Sequence, residues 1–572
     1  MNKIKLIATA SFQGAEPKST TLQVSTTLKA YVTFKPNSYK GGYGFDWCEW
    51  NIDTGKIEKF QDTKASDIGY TFNNAKEEYE TATDSSKQDA LKSLYPKKID
   101  VHGKKYYSSW MNLSKGETAN LELTITNFNK KDKPENEEYI TFKENSDYDV
   151  IYGGVKNEAI KLPLKKKNAK YNIEIFAKNE TTSTSYIKAM DVSKAVVGKI
   201  EMHPNEKAIL AIKVIPVVLK STVAKEKKEA ADIYNKAIKA KATGLGNNLD
   251  ETLNKHSLNQ AGIKSVIEAM TVDTAGKADP EKIVIDLTKG NWTHFYNNTN
   301  KTFEDWKFDP TEPDPLKRPS VWESEDGDET YKYEGGTTNN DLRLLLDELE
   351  DEYYQIYGRD FKGALVFVTD KSNSKSTVHG YSQTNPIRSQ GVIMFKGGLE
   401  SDFYAHELGH VLGLEHVFFK PKADLKPGED IECFEVVEII KKQKKNISIY
   451  EENIEIVKKR KSRNIETVDY AKLMIKDTAT NPDGTVNEGL AAKHRKIITD
   501  YEAKIIENDA DIKMYQNKII YANKRISINI ERKLKHTQAK SRNYMDYDIS
   551  RLYFDRFQCL VMKDEVEKFY TK

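Results

Sequence analysis

Residues 406–416, HELGHVLGLEH, contain three of the ten histidines of the 572-residue chain, with a glutamate directly after the first. On an α-helix, positions i and i+4 project from the same face, so His406 and His410 can offer two imidazoles to one ion. Zinc suits such nitrogen ligands, binds them at about 2.0–2.1 Å and keeps one position open in catalytic sites. The spacing therefore predicts a zinc site on a helix.

The third histidine needs a change of chain direction. A straight helix would turn His416 away from the other two rings, because it comes six positions after His410. Gly413 stands between them, and glycine tolerates the left-handed dihedrals that end a helix. We therefore expect the helix to stop at Gly413 and His416 to return to the same ion as its third ligand.

Glu407 adjoins the first ligand and would lie beside the open coordination position. A carboxylate there can take a proton from zinc-activated water and pass it to a leaving amine. The residues thus predict metal-dependent hydrolysis with Glu407 as the general base. Two alternatives are a His-rich surface helix and a structural zinc site, but structural sites usually have four protein ligands and would give Glu407 no role.

The pattern HExxHxxGxxH resembles the extended motif of the metzincin clan of zinc metallopeptidases. Downstream, residues 543–547 read NYMDY, which looks like the methionine turn of that clan, with weaker similarity to its pappalysin-like and gametolysin-like members. The resemblance implies that Met545 forms an apolar floor beneath the imidazoles. It also implies that Tyr547 lies near the metal, as a weak ligand or an oxyanion donor; a packed core tyrosine is the alternative.

The resemblance covers roughly residues 205–420 and 541–572, and it implies an α/β (α+β) catalytic domain with one catalytic Zn²⁺. In the family, an edge strand above the cleft binds substrate as an added β-strand. Residues 379–383 and 391–395 precede the histidine helix and would fill that role. The implied function is a zinc endopeptidase acting on a protein or peptide substrate. The alternative is a catalytically silent binding or delivery protein built on the same scaffold, which would not need Glu407.

Apolar patterns around the histidines indicate alternating strands and helices. Residues 364–369 (ALVFVT) and 391–395 (GVIMF) are typical of buried strands, and leucines at helical spacing indicate a helix over 340–357. Residues 208–219 form a further strand, in which Pro216 suggests an edge position. A helix near Ser401 carries the histidines, and residues 549–569 are expected to form a closing helix.

Residues 428–538 are rich in charge, and their apolar residues step by three and four positions from Val436 to Ile475 and from Ile498 to Asn529. The turn-rich segment 477–489 separates these two arms. Two arms of about 45 residues, each reaching roughly 65–70 Å, predict an antiparallel helical hairpin. Such a hairpin brings its ends together, so it can be inserted between His416 and Met545 without separating them. We hypothesise that it recruits a substrate or partner, or restrains access.

The first 220 residues alternate in the manner of β-strands and carry no recognisable chemical motif. The sequence thus predicts a multi-domain chain whose N-terminal all-β, sandwich-like modules precede the metzincin-like domain with its hairpin insertion. The predicted boundaries are 1–95 and 96–204 for two β-rich modules, 205–427 with 539–572 for the catalytic domain, and 428–538 for the hairpin.

Composition narrows the partners and the compartment. The net charge of +2 gives no reason to expect nucleic acid, no run of 18 apolar residues predicts a membrane span, and three scattered cysteines argue against disulfides. The acidic segment 309–336 could bind calcium but lacks the regular spacing of such loops. We expect no cleaved signal peptide, because the apolar patch of residues 6–10 is too short for one. We expect an exported bacterial effector or toxin, cytoplasmic before export, whose hairpin and β-modules bind a protein partner or secretion machinery.

Overall fold

The fold is described from a computed structural model of the chain. It covers residues 3–570 apart from 11–17, 26–29, 77, 96–97, 102–103, 128–137, 165–167, 241–245, 269–278, 290–291, 305, 308–339, 375–377, 383–389, 401–402, 415, 418–435, 478–484, 486, 532–533, 537–540 and 547–550. The acidic segment 309–336 and Tyr547 therefore lie outside the described residues.

Among the described residues, the first half of the chain is built from short strands, two 3₁₀ turns and one α-helix, α1 (Asp84–Leu94). Its strands are β1 (Lys3–Ala10), β2 (Lys18–Ser25), β3 (Ala30–Pro36), β4 (Gly44–Asp46), β5 (Cys48–Asn51), β6 (Lys56–Phe60), β7 (Thr63–Lys64), β8 (Ile68–Asn73), β9 (Glu78–Thr81), β10 (Lys98–Val101), β11 (Lys104–Tyr107), β12 (Ser109–Asn112), β13 (Thr118–Asn127), β14 (Tyr139–Phe142), β15 (Tyr148–Tyr152), β16 (Val155–Lys156), β17 (Leu162–Pro163), β18 (Ala169–Ala177), β19 (Ser185–Met190) and β20 (Val196–Met202).

Two sheets of this half share one hydrophobic core and form a sandwich. One has the order β17-β14-β19-β20-β12-β4, and the other has the order β16-β15-β18-β13-β3. Along β13 every second residue is buried, because successive side chains of a strand point to opposite faces. β3 pairs with β13 and β4 pairs with β12. The sequence-based boundary between residues 95 and 96 therefore separates strands that pair with each other.

The second half alternates strands and helices before and after the histidine segment. The strands are β21 (Ala208–Leu219), β22 (Ile263–Ile267), β23 (Ile283–Ile285), β24 (Tyr296–Asn297), β25 (Thr302–Phe303), β26 (Trp306–Lys307), β27 (Asn340–Asp341), β28 (Ala364–Val368), β29 (Ser372–Asn373), β30 (Gly380–Ser382), β31 (Gly391–Met394) and β32 (Leu534–His536). The helices are α2 (Val223–Ala237), α3 (Leu249–His256), α4 (Trp292–Phe295), α5 (Leu342–Tyr357), α6 (Phe403–Val411), α7 (Val436–Asp477), α8 (Glu488–Glu531) and α9 (Arg556–Glu565).

A mixed sheet of order β22-β21-β28-β31-β30 carries the histidine helix at its end. Its first four strands are parallel, whereas β30 runs antiparallel to β31 at the edge. Buried leucines of α5 pack on this sheet, as their helical spacing predicts. A single 3₁₀ turn, Lys396–Gly398, follows β31 and leads toward α6. The sheet thus sets the edge strand beside the helix that bears His406.

Two expectations about this half are wrong. β21 is not an edge strand, because it pairs with β28 on one side and with β22 and β23 on the other. β22 pairs only as far as Ile212 and β23 only from Val217, so Pro216 lies where the neighbouring strand changes and its missing N–H costs little. The closing helix begins at Arg556 rather than at residue 549, because Asp555 and Gln558 form a capping box there.

The predicted helical hairpin is present as α7 and α8, of 42 and 44 residues. Its seam holds Tyr450, Ile454, Val457 and Tyr515 in one apolar cluster. The chain divides into two compact units, one of residues Met1–Thr71, Thr81–Asp430 and Leu534–Lys572, the other of Phe72–Glu80 and Ile431–Lys533. Within the described residues, no helix is both long and apolar enough to cross a membrane.

Candidate metal centre

The histidine helix α6 ends in a left-handed turn at Gly413. This glycine has a φ of 86°, which residues with a Cβ rarely adopt. Its N–H donates to the carbonyl of His410 at 2.9 Å, and the N–H of Leu414 donates to the carbonyl of Gly409 at 2.9 Å. These two bonds form a Schellman motif, which satisfies carbonyls at the helix end. The chain then reverses toward the helix that it has just left.

This reversal brings His416 back to His406 and His410. The ring centroids are 4.8 Å apart for His406 and His410, 5.2 Å for His406 and His416, and 4.6 Å for His410 and His416. One ring nitrogen from each lies within 4.8 Å of the others. Zinc–nitrogen bonds are about 2.0–2.1 Å long, so three ring nitrogens this close to one another can converge on a single ion. The three rings form one cluster that can hold a metal ion.

Backbone carbonyls fix the tautomer of two of these rings. Nδ1 of His406 lies 2.7 Å from the carbonyl oxygen of Tyr544, and Nδ1 of His410 lies 2.8 Å from that of Leu414. Because a carbonyl oxygen only accepts, each Nδ1 carries the proton and donates it. Each Nε2 then keeps its lone pair, as is usual for histidines that bind metals. This donor set fits Zn²⁺.

The electrostatic environment keeps two rings neutral. Burial holds the pKa of His406 and of His416 well below the ordinary histidine value. The neighbouring His410 and the positive charge of Arg551 act in the same direction on both, and Lys535 adds to the effect on His416. A neutral imidazole is the form that binds a metal. Ordinary pH would therefore leave these ligands available.

His416 is held in place by β32, the strand that follows the hairpin. Lys535 of β32 donates from Nζ to the backbone carbonyl of His416, and the N–H of His536 donates to the carbonyl of Val417 at 2.8 Å. β32 itself pairs antiparallel with β8 of the N-terminal half. The position of His416 thus depends on residues more than a hundred positions later in the chain.

The methionine loop, residues 543–546, lies against the histidine helix α6. Asn543 shapes it by accepting from the N–H groups of Met545 and Asp546, at 2.9 and 3.0 Å. A Cβ added at Gly409 would lie 2.7 Å from the sulfur of Met545, so glycine is needed for this close approach. Met545 is fully buried, and its carbonyl accepts from Val417 at 3.2 Å. Tyr547, the other residue predicted here, lies outside the described residues.

Glu407 lies between its helix and the edge strand β30. Ser382 of that strand donates from Oγ to Glu407 Oε2 at 2.6 Å, and a Cβ added at Gly380 would lie 3.1 Å from Oε1. Burial raises the pKa of Glu407 to about 7, whereas the Ser382 hydrogen bond and the charge of Arg551 oppose this rise. A carboxyl group with that pKa can both accept and release a proton near neutral pH.

Three residues near the cluster were not found from the sequence, namely Ser382, Lys535 and Arg551. Arg551 donates from Nε to the carbonyl of Asp546 at 2.8 Å, and its guanidinium carbon is 4.5 Å from the ring centroid of Phe403. Phe403 begins α6, one turn before Glu407. Ser382 lies in segment 379–383, which the resemblance implies as an edge strand, but the sequence does not predict its contact with Glu407. Lys535 and Arg551 belong to no spacing pattern around the histidines.

Compared with models of known protein families and with curated protein sequences, the chain matches none. The interpretation of the cluster therefore rests on its own residues and their geometry.

Proposed function

We propose that the chain is a zinc-dependent endopeptidase of the metzincin type, with Glu407 as its general base. The observation that carries the proposal is the position of this carboxylate next to a cluster of three histidine rings. The left-handed turn at Gly413, which the histidine spacing predicts, and the buried Met545 beside Gly409, which the resemblance implies near the imidazoles, also support it. The metzincin fold is part of the proposal.

His406, His410 and His416 would hold the zinc. When bound, zinc would polarise the scissile carbonyl and lower the pKa of coordinated water to about 7. Glu407 would take the proton of the attacking water and then give it to the leaving amine. Ser382 would hold Glu407 Oε2 in place, so that Oε1 stays available for the proton. The pKa of about 7 suits both transfers.

The edge strand β30 would align the substrate. It pairs with β31 on one side, and no further strand pairs with it among the described residues. An extended peptide could add to this edge through backbone hydrogen bonds, which bind without strong dependence on sequence. Because Ser382 ends this strand and contacts Glu407, a peptide bound there would pass close to the base.

The test compares the full chain with Glu407→Gln, which keeps the shape of the side chain but cannot act as a base. We expect one zinc per chain in both proteins by elemental analysis. We expect cleavage of a proteome-derived peptide library by the wild type only, with a loss of about 10²–10⁴-fold in kcat/KM for the variant. A chelator should abolish cleavage, and added zinc should restore it.

Glu455→Gln is a matched control, because Glu455 makes only a local ion pair with Lys458 on α7 and is well exposed. It should cleave like the wild type. Stoichiometric zinc with no cleavage of any peptide would instead favour the silent scaffold. Equal rates for the wild type and Glu407→Gln would rule out Glu407 as the base.

A further inference from the structure

Arg551 is a buried charge whose hydrogen bonds are incomplete. Only 6% of the residue is exposed. Nε donates to the carbonyl of Asp546, but Nη1 has no hydrogen-bond partner within the part of the chain that the structure describes. A buried charged donor without a hydrogen-bond partner is destabilising, because the group has lost its hydration and gained nothing in exchange. An anionic group of a bound ligand would stabilise the guanidinium by supplying the missing partner.

The surroundings of Arg551 place it at the histidine cluster. Its guanidinium lies between the methionine loop, through Asp546, and the ring of Phe403 at the start of α6. The ring of His379, which directly precedes the edge strand, also lies near Phe403, with the two ring centroids 5.1 Å apart. Phe403 lies one helical turn before Glu407 on α6, and Asp546 directly follows Met545, so Arg551 contacts both of the segments that flank the histidine cluster.

This charge would not help the three histidines to hold a metal ion. A guanidinium beside three metal ligands repels a divalent cation, so its presence lowers metal affinity unless an anion offsets it. Glu407 accepts from Ser382 through Oε2, and Nη1 of Arg551 has no anionic partner within the described residues. A carboxylate of a ligand could supply that partner.

We propose that Arg551 binds a carboxylate of the peptide substrate next to the scissile bond, so that the site selects peptides carrying one there. The inference rests on the proposed peptidase function of the same site. Two sources share this chemistry, an Asp or Glu side chain and a free C-terminus. A guanidinium suits either, because its planar fork can donate two parallel hydrogen bonds to one carboxylate.

The test uses the full-length protein and the proteome-derived library. We expect cleavage sites with Asp or Glu enriched at one position near the scissile bond, or sites close to free C-termini. Replacing that acid by its amide, or amidating the C-terminus, should reduce kcat/KM by about 10- to 100-fold, as expected for loss of a charged hydrogen-bonded pair. The two substitutions distinguish the two sources.

Arg551→Gln should abolish the preference, measured as the ratio of kcat/KM for the acidic peptide to that for its amide, whatever its absolute rate, and Arg551→Lys should retain part of that ratio. Arg359→Gln is the matched control, because Arg359 is exposed and pairs only loosely with Asp351. Cleavage of acidic and amide peptides at equal rates by the wild type would overturn the inference and leave the peptidase proposal intact. If Arg551→Gln does not fold, the test relies on the wild type's preference for acidic over amide peptides and on how much of that preference Arg551→Lys retains.

If neither the wild type nor any variant cleaves a peptide, the peptidase proposal fails. Binding of a free carboxylate then tests by itself whether Arg551 forms a carboxylate site. N-acetylglutamate should then raise the melting temperature of the zinc-loaded wild type but not that of Arg551→Gln, and N-acetylglutamine should affect neither. Equal shifts for the acid and the amide would overturn the inference in that case as well.

Discussion

At the scale of single residues, the third histidine depends on a lysine that belongs to another part of the chain. His416 lies beyond the left-handed turn at Gly413, so the helix no longer fixes its backbone. Lys535 donates from Nζ to its carbonyl oxygen, although 119 positions separate the two residues. Residues that orient a metal ligand typically change metal affinity by about 10- to 100-fold when they are replaced. Lys535 is therefore a positioning residue for the candidate metal site.

Replacing Lys535 with Met should weaken zinc binding by about tenfold or more, because methionine fills the space but cannot donate to His416. The measurement is the zinc Kd, obtained by competition with a chromophoric chelator. Lys563→Met provides the control, since Lys563 is also buried and donates to backbone carbonyls, but to those of Pro204 and Glu206. An unchanged Kd in Lys535→Met would show that the hydrogen bond has no role in positioning the ligand.

The residues of the candidate site differ in how far the sequence predicts them. His406, Glu407, His410, Gly413 and His416 fall within eleven positions, and the rules of helix periodicity and helix ending relate them directly. Ser382 precedes Glu407 by 25 positions and Lys535 follows His416 by 119. Their approach depends on strand pairing and on the return of the hairpin, which no local pattern encodes.

At the scale of elements, the hairpin seam contains polar residues that pair with each other across it. Asn464 donates from Nδ2 to Asn508 Oδ1 at 3.0 Å, and both side chains are buried. Lys461 pairs with Asp509 one turn away. Lys461 of α7 faces Asp509 of α8, and the later Asn464 faces the earlier Asn508, as two antiparallel helices require. A buried amide pair of this kind can fix the register of two helices.

Changing Asn464 to Leu alone should destabilise the hairpin by about 1–3 kcal/mol, because it leaves the Asn508 amide buried without its partner. The double variant Asn464→Leu with Asn508→Leu should recover most of this loss, since both polar groups are then removed. Native-state hydrogen exchange of the α7 and α8 amides measures the local free energy of opening. Additive effects of the two single changes would mean that the amides do not act as a pair.

The elements themselves were predicted best where their pattern is local and long. The spacing of Leu345, Leu346 and Leu349 is enough to define α5, and the heptads define α7 and α8. Predictions failed where a neighbour in space decided the outcome. Pro216 suggested an edge strand, yet the strands beside β21 change at that residue. The start of α9 was placed too early, because the capping residue Asp555 was not recognised.

At the scale of the whole molecule, the closing helix α9 is attached to the N-terminal sandwich, within one compact unit. Asp46 of β4 accepts from the backbone N–H of Arg556, the first residue of α9, at 3.0 Å, and from the hydroxyl of Tyr95 at 2.7 Å. Arg556 also donates to Glu201 of β20 at 3.0 Å. The pairing of residues so distant in sequence could not be predicted from local patterns. Local patterns also could not predict the sheets of the sandwich, because these sheets pair strands that are far apart in the sequence.

This attachment should make stability depend on pH. Burial raises the pKa of Asp46 to about 7 from its ordinary value of 3.8, and the neighbouring Asp555 adds to the rise. Because the folded-state pKa is the higher one, the folded protein keeps a proton that the unfolded chain loses. The resulting stabilisation is complete below about pH 4 and is lost as the pH rises through about 7. For Asp46 alone, the loss between pH 5 and pH 8 is on the order of 2–3 kcal/mol.

Asp46→Asn should remove this contribution, because the amide stays neutral at every pH and can still accept from Arg556. We expect the variant to gain stability relative to the wild type as the pH rises from about 4 to about 7, so that its advantage is about 2–3 kcal/mol larger at pH 8 than at pH 5. Urea unfolding followed by tryptophan fluorescence measures the difference, since Trp47, Trp50 and Trp110 are all buried in the N-terminal half. Asp53→Asn is the control, because Asp53 is exposed and pairs only with Lys104 at the surface. If the difference in unfolding free energy between the wild type and Asp46→Asn stayed constant from pH 5 to pH 8, Asp46 would not be the group that titrates.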